Sequence, residues 1–489
     1  MAARKKSFYI IPGAYSMIGI GTIFRRRAGS GGPLPPDYAK WVKEHMVFWY
    51  DISKPVDTYA ENFNDWTKFT GAKYTVTNKS VNITNFDAVN NASIYIAKSK
   101  KFNGITITVD GLLDGQEIAW GYNNKPLVRM PKNGTYTLEP INSVTGNIGF
   151  RSINIVGACN ITITQLPSGQ SIPTNEILKT NPYLQDHSGN NRPLKLNNFL
   201  FAAMSGVGGY ELNWTDQSIW ARFLGSRFNG AIEPHKLTVT SALGSYNIME
   251  TKVPSYAKKF KVRVDGIVDE TVAYKYINAS GTQVRFDIKE DGEYELPSNN
   301  TVEGNFNMGW SILANSYPHT CNITIEQIPS YPNALITDGV DDYGVVENLQ
   351  QGVKVLFTTI NPFVDGKFIY DQRLNNIKPW LFAIFNDKGS IAYNSRNSNG
   401  KTYIDGTLNE STIVSALLNK KQIITIVNND VTGDKTKTPI FFSNTDHDSG
   451  WISSAFYNSI GFDSVPTKET DGFTEQELID YVLENLITQ

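Results

Sequence analysis

Cysteine is nearly absent from this sequence, with two residues in 489. That scarcity excludes a disulfide-dense scaffold and a Cys-rich zinc site. Charge is sparse as well. Only 19% of residues are Asp, Glu, Lys or Arg, and 45 basic against 47 acidic residues leave a formal net charge of −2. General nucleic-acid binding needs a broad positive field, so this balance excludes it. No run is long and apolar enough for a membrane span. The nearest, Phe8 to Phe24, is uncharged but contains Pro12, Gly13, Gly19 and Gly21. It also falls short of the ~20 apolar residues a spanning helix needs. Catalytic signatures are missing too: there is no G-x-S-x-G elbow, no Walker A loop and no H-E-x-x-H pair.

What is present points to strands. Asn, Thr, Ser, Gly and Tyr are plentiful, a composition that suits β-rich surface proteins. At about 100–200 residues per domain, the length predicts roughly three folded units, each able to bury its own core. The charge is unevenly spread. Through Glu44 there are eight basic residues against two acidic ones, so the remainder of the chain is acidic.

Arg4, Lys5 and Lys6 on one side and Arg25, Arg26 and Arg27 on the other bracket the apolar run. Three readings fit: a peptide buried in a partner with its basic clusters against an acidic surface, a signal or membrane anchor, or a flexible tail. The sequence RRRAGS is a poor signal cleavage site. The buried-peptide reading makes those six residues anchoring residues. Residues 28–36, rich in Gly and Pro, read as a linker. Residues 1–36 are thus an anchoring peptide with its linker, and 37–57 a connector.

The chain then repeats itself. Ala158-Cys-Asn-Ile-Thr-Ile-Thr-Gln-Leu-Pro-Ser168 returns as Thr320-Cys-Asn-Ile-Thr-Ile-Glu-Gln-Ile-Pro-Ser330. Upstream, Ile107-Thr-Val-Asp-Gly-Leu-Leu-Asp114 matches Val262-Arg-Val-Asp-Gly-Ile-Val-Asp269, and Gly134-Thr-Tyr-Thr-Leu138 matches Gly292-Glu-Tyr-Glu-Leu296. Each copy alternates with period two: Phe260, Val262 and Val264 share one face, Lys261, Arg263 and Asp265 the other. That is the pattern of half-buried strands in an antiparallel sandwich. Tyr136 and Tyr294 fall where a turn enters a strand, and each is expected to bond a loop carbonyl. Cys159 and Cys321 occupy equivalent positions in separate copies, so they read as small core residues rather than a pair. The copies span 58–170 and 205–332.

Residues 184–199 contain Leu-x-Asp-x-Ser-Gly-Asn followed by Leu-x-Leu-x-Asn-Phe, and Asp338-Gly-Val-Asp-Asp-Tyr343 follows the second copy. These segments resemble the opening strands of concanavalin-A-like, laminin-G-type jelly-roll domains. In such domains they lie close together, so the resemblance implies a jelly roll in two parts, 171–204 and 333–489, with the second copy inserted. Val353–Thr359, Trp380–Phe385, Ile391–Tyr393, Gln422–Val427 and Ser453–Phe462 read as further strands. Thr474 and Glu477 form the capping box of a terminal helix. The expected fold is all-β: two duplicated antiparallel β-sandwich modules plus a C-terminal concanavalin-A-like jelly roll ending in a short helix.

Candidate chemistry is thin. Gly206-Val-Gly-Gly209 reads as a turn, and Asp446-His447-Asp448 as a solvated loop, since alternation would place His447 opposite its neighbours. Asp338, Asp341 and Asp342 could line a calcium site, as the resemblance implies, or serve simply as turn aspartates. No other metal and no cofactor is expected. Trp120, Trp220, Trp310 and Trp451 are candidates for stacking on sugar rings, against the alternative of core packing.

With the basic/apolar N-terminus and the segment Phe48-Trp49-Tyr50-Asp51-Ile52-Ser53-Lys54, the arrangement resembles virion fibre and appendage proteins of crAss-like and other Bacteroides phages. The resemblance implies a non-enzymatic structural protein on the capsid or tail surface. It would contact other virion proteins through its N-terminus, form a trimer or dimer, and display sandwiches that could adhere to host-surface glycans. The alternatives are a bacterial cell-surface glycan-binding protein and a polysaccharide-cleaving enzyme.

Overall fold

A computed structural model describes residues 37–487, apart from 69–71, 87–92, 97–100, 123–124, 144–145, 253–256, 301–307, 350–351, 364–366, 372–380, 386–389, 393–399, 409–417, 428–438 and 444–450. The basic clusters at Arg4–Lys6 and Arg25–Arg27, the 28–36 linker, Trp380 and Asp446-His447-Asp448 therefore lie outside the described residues. The fold is all-β, with half of the chain in strands and a tenth in helices.

The duplicated segments fold into two sandwiches that correspond strand for strand. In the first, one five-stranded sheet runs Gly134–Leu138, Ile105–Asp110, Gly157–Gln165, Ser80–Phe86, Ala72–Val76. Its counterpart in the second runs Gly292–Leu296, Phe260–Asp265, His319–Ile328, Lys236–Ala242, Phe228–Ile232. The facing five-stranded sheets run Thr67–Lys68, Ser93–Ile96, Ile148–Ile153, Glu117–Tyr122, Lys125–Met130 and Trp220–Arg222, Asn247–Thr251, Gly309–Leu313, Thr271–Ile277, Gln283–Ile288. Alternation decides what each face buries. Phe260, Val262 and Val264 point into the core, while Lys261, Arg263 and Asp265 are exposed. Each module has its own hydrophobic cluster.

The rest of the chain forms a third, larger, jelly-roll-like sandwich, with sheets of eight and seven strands among the described residues. Phe48, Tyr50, Leu356, Ile360, Tyr370, Phe441 and Phe456 belong to the core between them. Helix α1 (Tyr38–His45) and the last helix cover the outer face of the larger sheet. There Trp41 and Val42 meet Leu478, Ile479 and Val482 over Val355, Phe357 and Ile460. The last helix, Glu475–Val482, starts with the expected capping box between Thr474 and Glu477.

The stretch 37–57 is not a connector. After α1 it continues as the strand Met46–Asp51, which pairs antiparallel with Ser453–Phe462 from Met46↔Phe462 to Asp51↔Asn458. Local sequence carries no trace of a ladder whose partner lies near the opposite end of the chain. The consequence is topological: the first module, like the second, is nested within the large sandwich. Both insertions leave through paired necks. Val56–Thr58 pairs with Gly169–Ser171 below the first module. Below the second, Tyr331 N–H donates to the Gly208 carbonyl and Ser330 N–H to that of Gly209. A Cβ on Gly209 would lie 2.9 Å from the Tyr331 ring at a φ of +61°, so this close approach requires glycine.

Candidate functional site

Several positions recur with the same role in both modules. Gln165 and Gln327 are almost wholly buried at the module bases. The Gln327 amide donates to the Leu212 carbonyl at 2.8 Å and accepts from the Leu212 N–H at 3.1 Å. Gln165 makes the same two bonds with Glu61, at 2.8 and 3.1 Å. Each amide therefore fastens the incoming chain to the outgoing strand just above the neck. Gln is present at this position in both copies of the repeat, which was the available signal; what it clasps lies outside the repeated segment.

The tyrosine expectation holds. Tyr136 and Tyr294 each donate at 2.7 Å to a carbonyl four residues upstream, those of Lys132 and Glu290. The two thiols are also equivalent, Cys159 facing the Ile83 carbonyl and Cys321 that of Val239. Burial pushes both thiol pKa values up, which disfavours the reactive thiolate.

Three of the four candidate tryptophans cannot serve as a stacking surface. Trp120, Trp220 and Trp310 are at most 1% exposed, each inside the core of its module. Trp451 is half-buried with its indole N–H enclosed. A sugar could not reach the first three rings. The space between two facing sheets favours large flat side chains, and Trp serves that need here.

Asp338, Asp341 and Asp342 do come together, their carboxylate oxygens within 4.8 Å of one another. Two of them are occupied by the turn itself. Asp342 is fully buried and accepts from the Asp338 N–H at 2.9 Å and the Ser205 hydroxyl at 3.1 Å. Asp338 accepts from the Val340 N–H at 2.7 Å. Burial, reinforced by the neighbouring Asp338 and Asp341 charges against the bonds it accepts, pushes the Asp342 carboxyl up to about 7. Asp338 and Asp342 thus brace the turn, with the three carboxylates still grouped around one point. A second grouping escaped sequence reasoning: Glu270 lies 2.7 Å from His319 Nε2, with Asp269 at 3.6 Å. Glu270 also accepts from the N–H groups of Val268 and Asp269.

The Asp-x-Ser-Gly-Asn motif serves the scaffold. Asp186 accepts the N–H groups of Trp49, Ser188 and Arg192 at 2.9–3.0 Å. Asn190 donates to the Met46 carbonyl at 2.7 Å, and Tyr50 to that of Arg192 at 2.7 Å. Together these bonds stitch the N-terminal strand to the loop before Leu194–Asn197.

A cleft of about 380 Å³ opens where the first module meets the large sandwich. One wall is the turn at 77–80 with the neck residues Asp57 and Tyr59; the other is built from residues 181–193 and Glu347. Asn78 donates to Asn181 at 2.6 Å across this junction, and both are buried. Tyr59 and Tyr183 line the cleft half-buried. Burial pushes both phenols up to about 12, helped by Asp57 at Tyr59 and by a hydrogen-bonded Glu347 at Tyr183.

No family model matches this chain, and no curated protein matches it. Among solved structures, a tryptophan-to-phenylalanine variant of the oxalate decarboxylase of B. subtilis covers 54% of this chain and 77% of its own, at 7% identity and a TM-score of 0.13. A serine-to-alanine mutant of the same Bacillus subtilis enzyme covers 55% and 78%, at 7% identity and a TM-score of 0.12. Likeness at that level carries no argument about fold or activity.

Proposed function

We propose that this protein is a structural component of a phage particle, a head or tail fibre or appendage that docks through its N-terminus and holds β-sandwich modules outward. The observation that supports this reading best is the double nesting. Two equivalent sandwiches stand on paired necks from a single larger sandwich. A protein built to present modules at fixed positions needs such a platform, whereas modules joined end to end by single linkers swing independently.

In sequence the basic clusters precede α1, and α1 packs against the last helix. Arg4, Lys5, Lys6, Arg25, Arg26 and Arg27 are the anchoring residues in this account, paired with acidic groups of a neighbouring virion protein. The assembly is a trimer or dimer, and the displayed modules meet the glycans of the host surface. The expected outcome of purifying intact particles is that the chain copurifies in fixed ratio to the other virion proteins. Recovery from cell membranes, with none on particles, would favour the bacterial cell-surface alternative.

A further inference from the structure

We infer that the cleft between the first module and the large sandwich is a binding site for a neutral oligosaccharide. The inference deepens the adhesive part of the proposed function but does not depend on attachment to a particle. Four observations carry it. The cleft, at about 380 Å³, is within the range of small-molecule sites, and room for a short chain of sugar rings is what that volume offers. Tyr59 and Tyr183, one from each wall, contribute aromatic bodies with polar tips, suited to a ligand whose faces are C–H and whose rim is hydroxyl.

The polar lining is dominated by carboxamides and hydroxyls, which both donate and accept. Gln185 and Asn191 are joined by Thr77 and Ser80, while Asn78 and Asn181 at the cleft floor bond each other. Sugar hydroxyls need such two-way partners, and a lining of charges of one sign does not provide them. The acids decide the ligand's charge. Asp57, Asp186 and Glu347 face one base, the exposed Lys79, whose ammonium is 5.7 Å from the centre of the Tyr59 ring. A uronate, sialate or phosphate would meet like charge there, so a neutral sugar is favoured.

The site is also structurally fixed. The Asn78–Asn181 bond holds the walls together, and Gln185 accepts from the Asp57 N–H at 3.2 Å. A ligand in the cleft contacts both bodies at once, which would couple binding to the set of the first module on its platform.

The test uses the full chain, probed by ligand-observed NMR with neutral gluco-, manno- and galacto-oligosaccharides beside galacturonate oligomers and sialyllactose. Binding of at least one neutral series is expected, with affinity falling about tenfold in Tyr59→Ala and measurably in Tyr183→Phe and Glu347→Gln. Leu113→Ala, on a remote exposed loop of the first module, should bind as the parent does. Thermal melts of each variant separate lost binding from lost folding. Absence of binding to every neutral series, preference for the anionic sugars, or equal binding by all three cleft variants would overturn the inference. Glycan binding by a chain that fails to join particles would leave this site standing and remove the virion reading alone.

Discussion

Gln327 shows what a single side chain does in this molecule. Its amide answers both the N–H and the carbonyl of Leu212 inside the module base, where the side chain is almost wholly buried. Replacement by leucine keeps the bulk and abandons both groups. Gln327→Leu should therefore cost about 3 kcal/mol and lower the melting temperature of the second module by several degrees. Gln165→Leu should do the same to the first. Calorimetry checks both, and an unchanged melt would show that the clasp contributes little. Asp342 offers a pH test. Its carboxyl titrates near 7 in the folded protein instead of near 3.8, so folding favours the protonated form. Its contribution to stability is complete below about pH 4 and disappears as pH rises through 7. Asp342→Asn loses one acceptor, because its Nδ2 cannot take the bond that a carboxyl oxygen takes, but relative to the parent it should gain about 4 kcal/mol between pH 4 and pH 8. Parallel pH-dependent melts of the two chains would contradict this. Some of these roles were legible in the sequence and some were not. The corner tyrosines follow a turn-to-strand pattern that local sequence records. The tryptophans were ambiguous, because an aromatic ring in a strand looks the same whether its face meets a sugar or Phe150, as Trp120 does.

At the scale of elements, repetition made the modules readable. Period-two alternation located strands such as Phe260–Asp265, and the order of matched segments reproduced the order of strands. Gln422–Val427 and Ser453–Phe462 begin and end where the turn signals put them. Met46–Asp51 escaped notice for a physical reason. It is almost wholly buried, so its sequence reads as an uninterrupted apolar patch without alternation, and its partner is at the far end of the chain. The terminal helix was legible from its capping box, but not the surface it covers. Leu478 is fully buried between α1 and the outer face of the large sheet. Leu478→Ala should lower stability by about 3 kcal/mol, as deletion of a buried leucine does when its surroundings cannot close the gap. Denaturant unfolding measures this directly, and a loss below about 1 kcal/mol would mean that the helix only decorates the sheet.

For the molecule as a whole, the near-zero net charge is a cancellation between a basic N-terminus and an acidic remainder. α1 and the terminal helix cover one face of the large sandwich, the two modules stand on paired necks, and in sequence the basic clusters lie upstream of α1, beyond the 28–36 linker. The most direct measurement is the occupancy on purified particles of a chain lacking residues 1–36, set beside that of the full chain. Without residues 1–36 the protein should still fold, with an unchanged melt, and be lost from particles. Normal incorporation of the truncated chain would contradict it.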